Sequence, residues 1–312
     1  MLQNGRPPLI SICIPAYKRV ENNRRLLQSI AIQEFTDFEV VITDDSPDDS
    51  IKNLLTEFPD LPIVYFKNEK PLGTPANWNF GITKASGEWI KIMHDDDWFA
   101  DENSLRVFAE HTSSGKKMIV SRYLNVHENS RTELPAFSPS RKEQIIREPL
   151  LLLSENVIGP PSVTFVHRSV TETYDERMKW RVDMDFYIRV LLKEKDFEWI
   201  DQPLVHVGIS ESQVTNSCIN MPEVELPEGL IMLKKYGTKP LRNIMVYDAW
   251  WRILRNTSTD LEKLERFGGP EWPPVIKAMT RLQNKLPRKW LQAGIFSKLA
   301  MGISYLTSQS KL

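Results

Sequence analysis

Three consecutive carboxylates, Asp95, Asp96 and Asp97, stand in this sequence directly after an apolar run typical of a buried β-strand. Like charges at a strand end repel one another, and their burial is costly unless a cation lies between them. Mg²⁺ and Mn²⁺ prefer such oxygen ligands and often bridge to phosphate groups. The cluster therefore predicts a divalent metal site. The alternative is an acidic turn that faces solvent.

A second acidic element has the same layout. Residues 38–43 form another apolar, β-branched run, and Asp44 and Asp45 follow it at once. An earlier apolar run, residues 9–14, ends at Pro15, Ala16 and Tyr17. Both runs predict strands that end in polar or turn-forming residues.

The elements that must position these residues alternate along the chain. Helices are predicted at 24–33 and about 74–85 from the apolar spacing, with a further strand at 63–66. Strands alternating with helices predict an α/β fold with a doubly wound, mostly parallel sheet. Ligands of such sheets bind outside the carboxyl ends of the strands, so three strand ends are expected to converge on one crevice.

Five short motifs carry a resemblance to a known family, at residues 14–17, 41–46, 72–81, 87–97 and 182–185. Together they resemble the inverting, metal-dependent family 2 glycosyltransferases, which have the GT-A nucleotide-diphospho-sugar fold. The resemblance covers roughly the first two thirds of the chain. It implies an enzyme of bacterial surface polysaccharide biosynthesis, with Mn²⁺ or Mg²⁺ as cofactor. The reaction implied is a single displacement that moves a sugar from a UDP- or dTDP-sugar to a glycan hydroxyl.

The resemblance also implies the nucleotide-binding residues. Asp44 is expected to accept the N3–H of a uracil or thymine ring. Asp45 beside it is either a second contact or a turn or helix cap. Pro15, Ala16 and Tyr17 are expected to supply backbone contacts and a ring against the base.

Two neighbouring residues show where the sequence keeps the family pattern and where it departs from it. Asn79 holds a family position and is expected to orient the aspartate loop or to contact the ribose. Trp78 stands where many relatives carry an arginine. No basic contact to the nucleotide can therefore be carried over, and core packing is the role expected of Trp78.

The family's Asp-x-Asp pattern fits the carboxylate cluster in two registers. Alignment of the two aromatic residues that follow puts His94 at the first position and Asp96 at the metal-binding position. The ribose contact then falls to His94 or Asp95. In the literal alternative, Asp95-x-Asp97, the metal ligand is Asp97. The first register is favoured, and Asp97 is kept as a second candidate for the metal.

A later helix is predicted where Val182, Phe186 and Val190 share one helical face. The resemblance implies that this helix supplies the catalytic base. Relatives carry Glu-Asp at its start, and this chain has Val182 followed by Asp183. The helix dipole stabilises a carboxylate there, so Asp183 is expected to be ionised at neutral pH and to accept the proton of the acceptor hydroxyl. The alternative is an ordinary capping aspartate. Asp185 is expected to position the acceptor or the loop.

Residues 203–215 resemble the closing loop of the family. The usual histidine of that loop would fall near Ser210, which is not a histidine. His206 is a candidate substitute, although a buried structural role is favoured for it. Gln213 is a candidate contact to the diphosphate.

Residues 1–218 are therefore expected to form the GT-A catalytic domain, and residues 219–312 a C-terminal helical extension. Helices are predicted there at 225–235, 241–255 and 274–286. The stretch 287–303 mixes aromatic, aliphatic and basic residues. It is expected either to lie on an anionic membrane surface or to pack on the catalytic domain or on a second subunit, and the oligomeric state is left open.

Composition restricts the expected binding partners and the expected cellular compartment. A formal net charge of −1 provides no field that favours nucleic acid. The two cysteines, Cys13 and Cys218, form no metal-ligand or disulfide pattern. Neither a hydrophobic leader nor an apolar run of about 18 residues is recognised. We therefore expect a cytoplasmic protein that is either soluble or peripheral on the cytoplasmic face of the inner membrane, where a lipid-linked acceptor would be within reach.

Two other classes of protein compete with this interpretation. A sugar-nucleotide nucleotidyltransferase would use a similar sheet and acidic metal ligands, but it should carry a glycine-rich triphosphate loop after the first strand. Residues 15–19 contain no glycine. A non-catalytic nucleotide- or sugar-binding module has no need to keep Asp44, the aspartate cluster and Asp183 together.

Overall fold

A computed structural model describes residues 6–210 and 214–308. The chain divides into two compact units. The first unit comprises Met1–Arg147, Val157–Glu176 and Phe186–Glu211, and the second comprises Glu148–Asn156, Arg177–Asp185 and Ser212–Leu312. The second unit thus includes two short segments from earlier in the chain, and a single boundary at residue 218 stays a prediction.

The first unit contains a sheet with nine strands in the described residues. In chain order they are β1 (Ile10–Ala16), β2 (Phe38–Asp44), β3 (Ile63–Lys67), β4 (Trp89–Ile92), β5 (Asp97–Phe99), β6 (Met118–His127), β7 (Thr132–Glu133), β8 (Thr164–His167) and β9 (Glu198–Ile209). Their spatial order is β3-β2-β1-β4-β8-β6-β9-β5, and β7 pairs with β6.

The four strands from β3 to β4 run parallel, as the alternation with helices predicted. Ala16 lies opposite Asp44, and Cys13 lies opposite Ile92 in the neighbouring pair. The carboxyl ends of β1, β2 and β4 therefore meet at one edge of the sheet, which confirms the predicted convergence. Beyond β4 the sheet becomes mixed, because β8 is antiparallel to both β4 and β6, whereas β6 and β9 are parallel.

Six helices accompany these strands in the described chain. They are α1 (Val20–Ala31), α2 (Ser50–Leu54), α3 (Ala76–Lys84), α4 (Ser104–Glu110), α5 (Pro139–Arg147) and α6 (Val182–Glu194). In α1 the side chains of Leu26, Leu27 and Ile30 are fully buried, as their spacing predicted, although the helix starts four residues before the predicted 24–33. The first four residues of α6 belong to the second unit.

The second unit is helical. Its helices in the described residues are α7 (Val214–Cys218), α8 (Pro222–Tyr236), α9 (Ile244–Asn256), α10 (Leu261–Gly268), α11 (Pro274–Asn284), α12 (Arg288–Gln292) and α13 (Gly294–Ser308). The three helices predicted at 225–235, 241–255 and 274–286 correspond to α8, α9 and α11. Helix α10 was not predicted from the sequence. Trp250, Trp251 and Trp272 are central to the apolar core of this unit. Within the described residues, none of the helices is both long enough and apolar enough to cross a membrane.

Candidate active site

The loop after β1 has an unusual backbone at the edge where the strands end. Lys18 and Arg19 both adopt the left-handed conformation, with φ of 57° and 42°. Non-glycine residues rarely do so, and such strain is concentrated at functional sites. The backbone N–H of Lys18 donates to Ser46 Oγ at 2.7 Å, which fixes this loop to the one after β2. The turn is thus held in place by the neighbouring strand end.

Arg19 links this loop to the aspartate cluster. Its Nη1 atom lies 3.3 Å from Asp95 Oδ1 and 3.5 Å from Asp96 Oδ2. These separations are long for charge-assisted hydrogen bonds, which are typically about 2.7–2.9 Å. One guanidinium at that distance compensates only part of the charge of three adjacent carboxylates.

His94, Asp96 and Asp97 form a group with the geometry of a metal site. One ligand atom from each of these side chains lies within 4.8 Å of the other two. The Nε2 atom of His94 is buried and has no hydrogen-bond partner in the part of the chain that the structure describes. A buried polar atom without a partner is costly, and coordination of a cation would satisfy it. One imidazole and two carboxylates suit a divalent ion such as Mn²⁺.

The electrostatics of the cluster point in the same direction. Burial lowers the pKa of His94, so its imidazole is neutral at pH 7, as a metal ligand requires. Burial raises the pKa of Asp97 well above its usual range, and repulsion from Asp96 adds to the effect. Burial and the same repulsion raise the pKa of Asp95 to about 7. The protein therefore crowds carboxylates where only an added positive charge makes full ionisation favourable.

His94 is held by two residues from other segments. The ring of Trp78, in α3, packs on the imidazole with 4.6 Å between ring centroids. The backbone N–H of His94 donates to Ser162 Oγ at 3.0 Å, and this serine is fully buried. Trp78 in turn meets Tyr174 edge to face at 5.1 Å. Trp78 was expected only to pack in the core, and its contact with His94 gives it a part in the site.

A lysine lies buried close to the cluster. Lys91, in β4, is fully buried, and its Nζ donates to the carbonyl oxygens of Ser162 and Thr164. Burial lowers the pKa of Lys91 to about 7, and the charge of Asp97 opposes that shift. The lysine thus braces the turn that carries Ser162 and hence the backbone of His94.

Gly208, in β9, lets two backbones approach closely. A Cβ atom at this position would come closer to the carbonyl oxygen of Asp96 than real Cβ atoms ever do. The N–H of Gly208 faces Asp97 Oδ1 at 3.3 Å, and Arg25 Nη2 donates to the same Asp96 carbonyl at 3.0 Å. Glycine inside a strand often marks such an approach, which is the signal that could have identified it from the sequence.

The residues expected to bind the nucleotide lie at the same sheet edge. Asp44 is fully buried, and its carboxylate accepts from the N–H of Ser46 at 2.8 Å, the hydroxyl of Tyr65 at 2.8 Å and Lys67 Nζ at 2.9 Å. Tyr17 follows Pro15 and Ala16 at the end of β1, and half of its side chain is exposed. An exposed ring there is available for stacking on a base.

The structure gives Asp45 and Asn79 structural contacts. Asp45 accepts from the backbone N–H groups of Leu72 and Gly73 at 3.0 and 2.8 Å, so it holds the loop before α3 and is not a helix cap. Asn79 uses both ends of its amide on the backbone of Tyr174, at 2.8 and 2.9 Å. The expected contact of Asn79 with nucleotide or aspartate loop therefore has no support in these contacts.

Asp183 stands in the first turn of α6, where the sequence placed it. Its Oδ2 accepts from Asn156 Nδ2 at 2.7 Å, and its Oδ1 accepts from the N–H of Met184 at 2.8 Å. Burial raises the pKa of Asp183 to about 6, and the charge of Glu228 adds to the shift. Burial thus outweighs the expected effect of the helix dipole, yet most of the carboxyl is still ionised at pH 7.

Glu228 also fixes the segment that leads into α6. Its carboxylate accepts from the backbone N–H groups of Lys179, Trp180 and Arg181, at 2.6, 3.0 and 2.7 Å. These three N–H groups directly precede α6, which begins at Val182, so the carboxylate holds the chain in place where it enters the helix. This role could not be predicted from the sequence, because Glu228 lies in α8, 47 to 49 positions further along the chain.

Asp185 has a different environment from Asp183. It is fully buried, with Lys235 Nζ at 2.7 Å and the hydroxyl of Tyr236 at 2.8 Å from its Oδ1. These contacts tie α6 to α8. Asp185 is therefore an anchor within the second unit, and the expectation that it positions an acceptor is not supported.

The structure describes only one of the two candidate residues of the expected closing loop. His206 lies in β9, and its ring meets Trp98 edge to face at 5.4 Å. Burial lowers its pKa, in keeping with the structural role that was favoured for it. Gln213 lies outside the described residues.

A mostly parallel α/β sheet whose strand ends carry an acidic cluster is the arrangement of the GT-A class of transferases. The model of the family "Glycosyl transferase family 2" matches residues 11–174, more than half of the 312 residues. The chain belongs to this family and is a glycosyltransferase.

Individual relatives agree with this assignment. WcaA of Escherichia coli K12, named as a glycosyl transferase of colanic acid biosynthesis, is 25% identical over 222 residues, which cover 67% of this chain and 76% of WcaA. A Campylobacter jejuni protein named GalNAc(5)-diNAcBac-PP-undecaprenol beta-1,3-glucosyltransferase is 32% identical over 93 residues, which cover 29% of this chain and 30% of that protein.

Solved structures support the fold. TarS 1–349 of S. aureus, in complex with UDP-GlcNAc, matches with a TM-score of 0.63 at 17% identity, covering 96% of this chain and 92% of that one. The mannosyltransferase PcManGT of Pyrobaculum calidifontis, in complex with GDP-Man and Mn²⁺, matches with a TM-score of 0.55 at 13% identity, covering 97% and 88%. Both similarities show the GT-A fold.

Proposed function

We propose that this protein is a metal-dependent, inverting glycosyltransferase that moves a sugar from a UDP- or dTDP-sugar to a hydroxyl of a glycan acceptor. The observation that carries the proposal is the group of His94, Asp96 and Asp97 at the carboxyl ends of parallel strands. That edge is where α/β sheets bind nucleotides, and a diphosphate brought there needs a counter-cation.

The donor set fits a divalent cation held by His94, Asp96 and Asp97. The buried Nε2 atom of His94 has no hydrogen-bond partner among the described residues, and a bound ion would satisfy it, which supports this assignment. When bound, such an ion supplies positive charge that stabilises the leaving diphosphate. The first register leaves the ribose contact to His94 or Asp95, and with His94 on the metal it falls to Asp95. Arg19 neutralises part of the remaining charge.

Tyr17 and Asp44 are proposed to hold the base. The half-exposed ring of Tyr17 stacks on it, and Asp44 accepts the N3–H of uracil or thymine. Lys67 and Tyr65 both donate to the Asp44 carboxylate and orient it, so their contacts would have to open towards the base when it binds. Pro15 and Ala16 contribute backbone at the same strand end.

Asp183 is proposed as the general base. It accepts the proton of the acceptor hydroxyl while that oxygen attacks the anomeric carbon, and the bond from that carbon to the diphosphate oxygen breaks. One in-line displacement inverts the anomeric centre without a covalent intermediate on the enzyme, by the logic that inverting glycosidases follow. Asn156 orients the carboxylate for this step.

The acceptor is proposed to be a lipid-linked glycan of bacterial polysaccharide biosynthesis, handled at the cytoplasmic face of the membrane. Support comes from the names of two relatives. One is named for colanic acid biosynthesis, and the name of the other includes a PP-undecaprenol-linked glycan. No nucleic-acid partner is proposed, in view of the net charge of −1.

A donor screen tests this function directly. The protein is incubated with UDP-, dTDP- and GDP-sugars, and release of the nucleoside diphosphate is followed with Mn²⁺, with Mg²⁺ and with excess chelator. We expect release from a uridine or thymidine donor that stops with chelator and returns with Mn²⁺, and an Asp96→Ala variant that no longer binds UDP in a metal-dependent way. Full activity in excess chelator would overturn the proposed metal dependence. Release from GDP-sugars alone would overturn the proposed uridine or thymidine donor.

A further inference from the structure

Helix α13 buries polar side chains beside apolar ones: Met301 lies in the core of the second unit, and Ala300 and Tyr305 pack against that core. Its inner face, which packs within the second unit, carries three serines that are each at most 3% exposed: Ser297, Ser304 and Ser308. Ser297 Oγ accepts from Trp251 Nε1 at 3.1 Å, and the hydroxyl of Tyr247 lies 2.8 Å from Ser304 Oγ. An amphipathic helix on a soluble protein normally turns its aliphatic side chains inward and its hydroxyls towards water.

The opposite face of α13 is apolar and exposed. Its side chains are Ile295, Phe296, Leu299, Ile303 and Leu306, with exposed fractions of 76, 55, 61, 61 and 73%. At 3.6 residues per turn they fall within an arc of about 100°. Trp290, in α12, stacks on Phe296 at 5.7 Å between ring centroids and extends this stripe. These six residues form what we call the outer face. Contiguous apolar surface of this kind marks an interaction site.

The charge around the outer face selects its partner. Residues 272–312 contain seven lysines and arginines and not one aspartate or glutamate, although the whole chain has a net charge of −1. Lys289 and Lys298 lie in α12 and α13 themselves and are exposed, and so is Lys285 at the end of α11. A second copy of the chain would bring two positive sets together. A bilayer with anionic headgroups complements both the charge and the apolar stripe.

We propose that the outer face of α12 and α13 docks on an anionic lipid surface, with α13 parallel to the membrane plane. With 15 residues, α13 is too short to span a bilayer, so the attachment is peripheral. The inner-face serines keep the helix fixed to the protein while the outer face enters the headgroup region. This inference deepens the proposed function by assigning the surface that meets the membrane, but it does not depend on the identity of donor or acceptor.

Vesicle co-sedimentation of the full chain tests the proposal. Vesicles of phosphatidylcholine alone are compared with vesicles that contain roughly 30–40% phosphatidylglycerol, whose headgroups make the surface negative. We expect binding to the anionic vesicles only, with a fall of at least about tenfold as salt rises from 50 mM to 500 mM, because ionic screening weakens the attraction of the lysines. A double variant, Leu299→Gln with Ile303→Gln, should lose about tenfold or more in binding. Ile32→Gln is the matched control, since Ile32 is 58% exposed on the other unit, and its binding should not change.

Point variants are preferable to deletion, because removal of α13 would also remove the contacts of its inner serines. Release of the nucleoside diphosphate should be the same in the double variant as in the wild type, which separates this inference from the proposed function. Two results would overturn it: wild-type protein that binds anionic and neutral vesicles equally or neither, and a double variant that keeps full binding. If sedimentation velocity shows a dimer that the double variant dissociates, and vesicles are ignored, the outer face is a self-interface and the lipid proposal is wrong.

Discussion

The ring of Trp78 packs on the imidazole of His94, with ring centroids 4.6 Å apart. Trp78 stands where many relatives of the family carry an arginine, and in the favoured register His94 stands at the first position of the aspartate motif. We therefore expect the two departures to compensate each other, because an aromatic ring supports a neutral imidazole where an arginine would support a carboxylate.

The first prediction concerns metal preference. An imidazole ligand favours transition metals over Mg²⁺, whereas an all-carboxylate site accepts Mg²⁺ well. His94→Asp should therefore lower the ratio of Mn²⁺ to Mg²⁺ affinity by roughly tenfold, and His94→Ala should weaken Mn²⁺ binding by roughly 10- to 100-fold. Calorimetric titration of each ion in the absence of donor measures both effects.

Trp78 also reports on this site. Metal binding at His94 should change the fluorescence of Trp78, and a Trp78→Phe variant identifies that signal among the nine tryptophans of the chain.

His111→Gln is the control for the metal affinities, because His111 pairs with Glu198 outside the cluster. An unchanged Mn²⁺ to Mg²⁺ ratio in His94→Asp would show that His94 is not a ligand.

Much of the sheet could be predicted from the sequence, because its signals are local. The β-branched runs of β1 and β2 and the helical spacing of Leu26, Leu27 and Ile30 gave the alternation that defines the fold. The convergence of Asp44 and the aspartate cluster follows from the geometry of parallel strands. Periodicity and turn residues are enough for such elements, although the helix ends were displaced by up to four residues.

The supporting residues could not be predicted in the same way. Ser162, Gly208 and Glu228 act through contacts with residues 47 to 112 positions away in the chain, and only tertiary packing reveals such contacts. Whether the apolar face of α13 is buried or exposed was also left open, because its apolar spacing is the same in both cases. Periodicity identifies one side of a helix but not what covers it.

The second prediction separates chemistry from donor binding. Asp183→Asn is nearly isosteric and removes the base, so transfer should fall by roughly two to four orders of magnitude while donor affinity is kept. Single-turnover transfer to an acceptor and calorimetric titration of the donor measure the two quantities. If donor affinity collapsed and transfer per bound donor stayed normal, Asp183 would be a cap of α6 and not a base.

The third prediction is the pH dependence of that step. A general base acts in its ionised form, and burial raises the pKa of Asp183 to about 6. Transfer should therefore be nearly constant above pH 7 and should fall below pH 6, by about tenfold per unit once the carboxyl is mostly protonated. The residual activity of Asp183→Asn should lack this acidic limb. A limb that persists unchanged in that variant would assign it to another group.

The fourth prediction distinguishes two carboxylates that are only two positions apart. Asp185 is fully buried against Lys235 and Tyr236, so Asp185→Ala should lower the free energy of unfolding by about 2 kcal/mol or more. Asp183→Asn should change it less, because the amide keeps the shape of the carboxyl group and its oxygen still accepts one of the two hydrogen bonds, from Asn156 Nδ2 or from the Met184 N–H. Thermal unfolding of both variants at pH 7.5 provides the comparison, and equal losses would argue against an anchoring role for Asp185.

The fifth prediction tests whether Gly208 shapes the metal site. In Gly208→Ala the new methyl group would meet the carbonyl oxygen of Asp96, so the aspartate loop must shift away from β9. We expect Mn²⁺ affinity to fall by roughly tenfold or more, with the fold retained, since misplacement of ligands is costly to a metal site. Gly302→Ala is the matched control. Its Cβ would meet no atom within 4 Å, and alanine in the middle of α13 should stabilise the helix slightly. Wild-type Mn²⁺ affinity in Gly208→Ala would mean that the loop tolerates the shift, and the close approach of β9 would then have no part in positioning Asp96 and Asp97.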